Sequence, residues 1–359
     1  MTTPLRVLLG GLGVRGWHWA EVLRRSPNTE IVAYADPNAA AIERMMAQHG
    51  VHPAFPSVEE ALDALPDIDA VVLANPPIGR MSQVSAVAAR RLPLLVEKPL
   101  ALDLNEAAAI VNIAETAGIS MMVGLNFRYL DVTKETMRLL ADGAVGTPEF
   151  ARFTYERYRD GNRADLNKYP LTMDQPMLWE QSIHHFDLMR YVYASNPVTV
   201  QARTWNPSWS MYASDANVAA LFTFENGMII NYQGTWQGGW SQPGFEWRTD
   251  CTNGVISQRH QFGDLFYARH ADSALTPIPL PPHEQWIAET QDLLHAFTDT
   301  VIDGKPLQCS GRDHINSLAM VYACVVSTRE DRCVHINSVL PQNLGGFIQG
   351  EQGEARSIN

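Results

Sequence analysis

Leu5-Arg6-Val7-Leu8-Leu9-Gly10-Gly11-Leu12-Gly13-Val14-Arg15-Gly16 is the stretch whose reading decides the fold. A short apolar run enters a Gly-x-Gly-x-x-Gly turn, and apolar residues at helical spacing follow through Val22 and Leu23. Strand, glycine turn, helix is the order that a dinucleotide-binding loop requires. Gly11 permits the tight turn, Gly13 lets the backbone approach a pyrophosphate, and Gly16 lets the helix pack close on the strand. Leu12, Val14 and Arg15 complete the loop, whose amides would face phosphates at the helix N-terminus. The next apolar run ends at Asp36, twenty residues after Gly16. That is the place of a carboxylate binding the adenosine ribose hydroxyls. It would repel a 2′-phosphate, so NAD is expected rather than NADP. The competing reading is that Asp36 caps the helix starting near Pro37 and Asn38.

Outward from this loop the same rhythm repeats. Asp69 to Asn75 is an apolar run ending in a proline turn, Pro76-Pro77, and residues 80 to 91 are then helical. Leu94-Leu95-Val96-Glu97-Lys98-Pro99-Leu100 is another buried strand, stopped by Pro99. Asp103 and Glu106 fit a helix N-terminal cap, and a further strand spans Ile119 to Gly124. Strands alternating with helices at this spacing give an α/β fold, a doubly wound parallel sheet over residues 1–124. Asn75, Pro76, Glu97 and Lys98 stand at carboxyl ends of strands, where such sheets bind ligands. In isolation, a lysine there more simply snorkels to solvent.

Length and composition bound the rest. At 359 residues the chain exceeds what one core supports, so a second domain is expected. The alternating stretches Val218 to Phe224, Gly227 to Tyr232 and Val255 to Gln258, with a hairpin turn at Glu225-Asn226-Gly227, place an α+β domain over 125–341. Its sheet should be large, open and mainly antiparallel, with helices on one face. Residues 342–359 are glycine-rich and polar and should be loosely held. A net charge of −12 and a pI near 5.3 argue against nucleic acid and anionic membranes as partners. Four cysteines without a Cys-x-x-Cys pair read as free thiols of a reducing compartment, and no apolar run is long enough to span a bilayer. A cytoplasmic location is expected.

Chemistry concentrates in a second stretch, Trp179-Glu180-Gln181-Ser182-Ile183-His184-His185-Phe186-Asp187. Helical spacing puts Glu180 and His184 on one face, with Asp187 three residues further on. An imidazole beside a carboxylate is a usable general base. Two histidines and two acids also suggest metal, but only one histidine shares the acidic face, so no metal site is expected. Without a cofactor domain ahead of it, the pair would more simply serve a core or capping role. A polar loop from Arg159 to Met177, with Arg163, Lys168 and Tyr169, is either a candidate substrate cover or a solvated excursion. Tyr129, Tyr158 and Arg163 join Lys98, Glu180 and His184 as candidate substrate contacts. Trp205, Trp209, Trp236, Trp240 and Trp247 could stack on sugar rings, though packing on the sheet or an oligomer contact is the simpler reading.

The glycine loop, Asp36, Asn75-Pro76-Pro77, Glu97-Lys98-Pro99 and His184-x-x-Asp187 occur in the order seen in the Gfo/Idh/MocA family, which the chain resembles to about residue 336. The resemblance implies an NAD(P)-dependent oxidoreductase that oxidises a secondary hydroxyl of a sugar or cyclitol. It implies that Lys98 contacts the reacting hydroxyl and the nicotinamide ribose, and that His184 accepts the proton. It further implies a homodimer or homotetramer formed through the open face of the second domain's sheet. Four departures stand out. Glu180 replaces the usual Asp and Ser182 the usual Gly, a histidine soon after the proline turn is replaced around Arg80, and the glycine-rich run ahead of the motif is absent. Other relatives perform redox-assisted glycoside hydrolysis with NAD or act as cofactor-binding regulators, and both remain alternatives.

Overall fold

The computed structural model describes residues 3–341. The glycine-rich stretch 342–359, expected to be loosely held, lies outside the described residues. In chain order the elements begin β1 (Leu5–Gly10), α1 (Val14–Arg25), β2 (Thr29–Ala35), α2 (Ala39–His49), β3 (Ala54–Phe55) and α3 (Val58–Ala64). Then come β4 (Ala70–Leu73), α4 (Arg80–Ala89), β5 (Leu94–Val96), α5 (Leu104–Ala117), β6 (Met121–Val123) and α6 (Asp131–Ala141). β7 (Pro148–Glu156), α7 (Ile183–Tyr193), β8 (Pro197–Trp205), β9 (Asn217–Phe224), β10 (Ile229–Thr235) and β11 (Gly244–Cys251) follow. The described chain closes with β12 (Gly254–His260), β13 (Gly263–Arg269), β14 (Thr276–Ile278), α8 (Ala288–Asp303), α9 (Gly311–Glu330) and β15 (Val334–His335).

These elements form two compact units. The first takes the chain up to Asn126 and again from Glu284 to Ile315. Its six strands are all parallel, in the order β3-β2-β1-β4-β5-β6. β1 and β4 are the strands at which the connections reverse direction, the place where such sheets open a crevice at their carboxyl ends. Residues of β4 and β5 are buried without alternation, because helices cover both faces of a parallel sheet. Asp103 caps α5 as its spacing predicts, accepting from the Asn105 and Glu106 amides at 2.9 and 3.0 Å. Past the sheet, α8 packs on α1, and Glu284 pairs with Arg25 at 2.6 Å.

The second unit comprises Phe127–His283 and the chain from Asn316 on. Its nine-stranded sheet runs β14-β13-β12-β11-β7-β10-β9-β8-β15, antiparallel except where β7 meets β10. The β9–β10 hairpin turns at Gly227, whose φ of 87° a side chain would resist. Alternating burial along β7 and β9 separates a core face from an outer one. α7 is buried on nearly every side, so it packs as a core helix. Its Phe186 meets Phe222 and Tyr232 edge-on at 5.0 and 4.9 Å. Trp236 and Trp247 belong to the interior, whereas Trp205, Trp209 and Trp240 are exposed.

Candidate active site

The glycine loop has the geometry of a phosphate cradle. A Cβ on Gly11 would lie 2.4 Å from the Asn75 amide nitrogen, and one on Gly16 would lie 2.0 Å from the Gly11 carbonyl oxygen. Both positions therefore exclude side chains and leave backbone at the surface of the turn. α1 opens on Gly13, which has no side chain to cap it, and no acid occupies the first turn. An uncapped helix N-terminus of this kind suits a pyrophosphate. Asp36, just past β2, accepts from the Leu12 amide at 2.7 Å and the Asn38 amide at 2.8 Å. The cap of α2 is Asn38, which accepts from Ala40, so Asp36 stands beside the glycine loop rather than on the helix end. These residues fit a dinucleotide: the loop and helix end for the phosphates, Asp36 for a ribose diol.

Across the sheet, Asn75 follows β4 and its amide group donates to Pro76 O at 2.9 Å and to Gln83 at 3.1 Å. Pro76 is exposed at the same turn. Glu97, directly after β5, is committed to its own unit: Oε1 accepts from Arg15 Nε and Trp19 Nε1, both at 2.8 Å. Burial works against its ionisation, yet the charges of Arg15 and Lys98 outweigh it and hold the carboxyl below its usual range. Arg15 is thus an anchor for Glu97 as much as a loop residue. Lys98 is half-buried and joined to Pro99 by a cis peptide. Arg80, singled out in the sequence only as a replaced histidine, is fully buried. It donates to the carbonyls of Asn75, Glu97 and Pro99, the last at 3.0 Å.

In the second unit the expected single helix over 179–191 divides. Met177–Ser182 is a π-helical turn, and α7 starts at Ile183. Glu180 therefore lies in the π turn, whose hydrogen bonds run from i to i+5, and His184 lies in the α-helix that follows it. His184 is buried and its ring stacks on Phe127, centroids 4.2 Å apart and planes 19° apart. His185 has a different role. Its Nε2 accepts from the Gln181 side chain at 3.0 Å, its Nδ1 donates to Tyr232 Oη at 2.9 Å, and that hydroxyl donates to Ser182 Oγ at 2.9 Å. Burial pushes its pKa down to about 3, which keeps it neutral. Asp187 is held by Arg128 through two bonds of 2.5 and 2.6 Å and by Ser317 Oγ at 2.9 Å. Arg128 and Ser317 lie far from the motif in sequence, and no local pattern marks them.

The polar loop folds on itself. Arg163 pairs with exposed Asp165 at 2.6 Å, Lys168 donates to the carbonyls of Gly161 and Arg163, and Arg159 stacks over Trp236 at 4.4 Å. Tyr158 is exposed and lines an open cleft of about 490 Å³ with Trp209, Trp240 and Ser241 over Gly238 and Gly239. Tyr129 is half-buried at the 3₁₀ turn Asn126–Tyr129.

Comparison with known proteins gives concordant matches. Residues 5–125 match the oxidoreductase family with an NAD-binding Rossmann fold, and residues 133–257 match the GFO/IDH/MocA C-terminal domain. D-apiose dehydrogenase of Paraburkholderia graminis is 25% identical over 319 residues, covering 86% of this chain and 84% of that protein. An NAD(+)-dependent scyllo-inositol 2-dehydrogenase of Bacillus subtilis is 24% identical over 315 residues, covering 85% and 88%. An oxidoreductase from Agrobacterium radiobacter, solved with NAD+, L-tartaric acid and magnesium, shares the fold with a TM-score of 0.84. It is 22% identical, over 94% of this chain and 100% of that one. No helix among the described residues is long and apolar enough to cross a membrane.

Proposed function

The chain belongs to the Gfo/Idh/MocA family of NAD-binding oxidoreductases, and from that premise we propose that it oxidises a secondary hydroxyl of a sugar, sugar derivative or cyclitol. The named relatives act on substrates of this class. NAD, when bound, supplies the hydride acceptor. His184 takes the hydroxyl proton, Glu180 orients and stabilises the imidazolium, and Lys98 stabilises the alkoxide as it develops. The observation that supports His184 over its neighbour is the contrast between the two rings: His185 is bound through both ring nitrogens and neutral, whereas the His184 ring is stacked on Phe127. Asp187 is held by Arg128 and Ser317. A cytoplasmic location and a homo-oligomer through the outer sheet face belong to the same reading, the latter supported by exposed Phe150, Leu221 and Ile229.

A panel of sugars, cyclitols and glycosides, followed by NADH absorbance and product analysis, tests the substrate class. Net NADH with the carbon skeleton intact is the expected result. Glycoside cleavage without net NADH would make the protein a hydrolase. Lys98→Ala should reduce kcat by about a hundredfold or more, while the NAD dissociation constant changes by less than about threefold. A near-normal kcat would remove Lys98 from the mechanism.

A further inference from the structure

We propose that Arg80 is a positioning residue for Lys98, a buried guanidinium that fixes the backbone on both sides of the lysine and ties it to the Asn75 loop. The inference rests on the reading of Lys98 given above. Sheet pairing ends just before the lysine: the Glu97 amide donates to Leu73 O at 2.8 Å and closes the β4–β5 ladder. Pro99 has no N–H with which to continue it. The carbonyls of Glu97 and Pro99 lie inside the protein beyond the ladder, where an unmet acceptor is costly. Arg80 Nη1 serves both of them, and they are the carbonyls of the two residues flanking Lys98. Nη2 serves the Asn75 carbonyl at the end of the neighbouring strand. One rigid plane therefore sets the position of the lysine backbone relative to the proline turn after β4. Behind it, the Leu100 amide donates to His314 Nε2 at 3.4 Å, which anchors the chain on the far side.

Arg80 is an expensive way to fill space. It is the first residue of α4, directly after Gly79 with a φ of 70°, and it is fully buried. A cation at a helix N-terminus opposes the helix dipole, and burying the charge adds a desolvation cost. A methionine or leucine would fill the same volume without either cost. A planar fork that reaches several carbonyls at once is what the arginine supplies, and a lysine cannot reproduce it.

The test uses the full-length protein with NAD and either myo-inositol or D-apiose, comparing wild type, Arg80→Met, Arg80→Lys, Lys98→Ala and the double variant Arg80→Met/Lys98→Ala. Hydrogen–deuterium exchange supplies a readout that needs no substrate. Amide exchange over residues 97–102 should rise about tenfold or more in Arg80→Met, with β1 and α1 unchanged. A uniform rise across the first unit would mean a structural role only and would overturn the proposal. In turnover, kcat should fall by about ten- to a hundredfold, as expected for misplacement of a catalytic group on the ångström scale, with KM for NAD within about threefold. The double variant should turn over no more slowly than Lys98→Ala alone, because Arg80 acts through the lysine. Additive losses would overturn the proposal. Arg80→Lys keeps a cation at the site and carries the same measurements if Arg80→Met is recovered unfolded. A Lys98→Ala variant with normal turnover would refute the catalytic reading of the lysine, whereas unchanged exchange over 97–102 refutes the clamp itself.

Discussion

Acidification should destabilise the second unit through His185, and removing that side chain should remove the effect. The ring is buried among Phe153, Tyr155 and Tyr232, and burial lowers its pKa from 6.5 to about 3. In the unfolded chain the same imidazole takes up a proton near its ordinary value. Between pH 6.5 and about 3 the unfolded state therefore binds one proton more than the native state, and stability falls as the pH falls. The slope from this group is about 1.4 kcal/mol per pH unit, or about 2 kcal/mol by pH 5. Above its ordinary value both states are neutral and the contribution is flat. His18 in the first unit, lowered to about 4 by burial and the charge of Arg15, acts with the same sign over a narrower window. His185→Asn keeps a donor toward Tyr232 but does not titrate. It should cost about 1–3 kcal/mol near neutrality through the weakened bond to Gln181. Urea unfolding followed by tryptophan fluorescence from about pH 5 to pH 8 measures the difference. The wild type should lose about 2 kcal/mol more than the variant over that range at equal m-values. Parallel stability–pH profiles would refute the assignment of His185 as a neutral core residue.

Two further substitutions probe the other assignments. Asp36→Ser removes an acceptor beside the glycine loop, and hydrogen bonds to charged groups are worth about 1.5–3 kcal/mol. The kcat/KM for NAD should fall about tenfold or more and the preference for NAD over NADP should shrink accordingly; an unchanged preference would separate Asp36 from the ribose. Asp187→Ala removes the carboxylate to which buried Arg128 donates twice, and loss of one partner of a buried pair costs about 3–5 kcal/mol. Thermal or urea unfolding should register that loss, and a change below about 1 kcal/mol would show that the pair is not structural.

The first unit's sheet was legible because its signals are short-range. Apolar runs of strand length, a glycine turn at fixed spacing and an acid at the end of the second run all lie within windows of a few residues, and β1 spans the run that the sequence marks. β3 escaped because two residues, Ala54 and Phe55, leave no alternation to read. In the second unit the hairpin at Gly227 announced itself, whereas β8, β11 and β13 mix exposed and half-buried positions too evenly to stand out. The π turn ahead of α7 was not legible for another reason. Helical spacing presumes the α period, and the Met177–Ser182 turn departs from it. Met177 packs where a Cβ on Gly234 would lie 2.4 Å from its Cε, a contact that no local pattern marks.

The acids make the same point about the site. Glu97, Asp187 and Glu180 all stand within motifs that read as chemistry, and a carboxylate's sequence position says nothing about which cation will reach it. Glu97 meets Arg15 from 82 residues away, and Asp187 meets Arg128 from 59. A buried carboxylate already paired in this way accepts hydrogen bonds and holds its partners in place. Arg80 extends the principle to the cationic side. A charge that is buried and bound to carbonyls positions its neighbours, and in this protein the neighbour it brackets is Lys98.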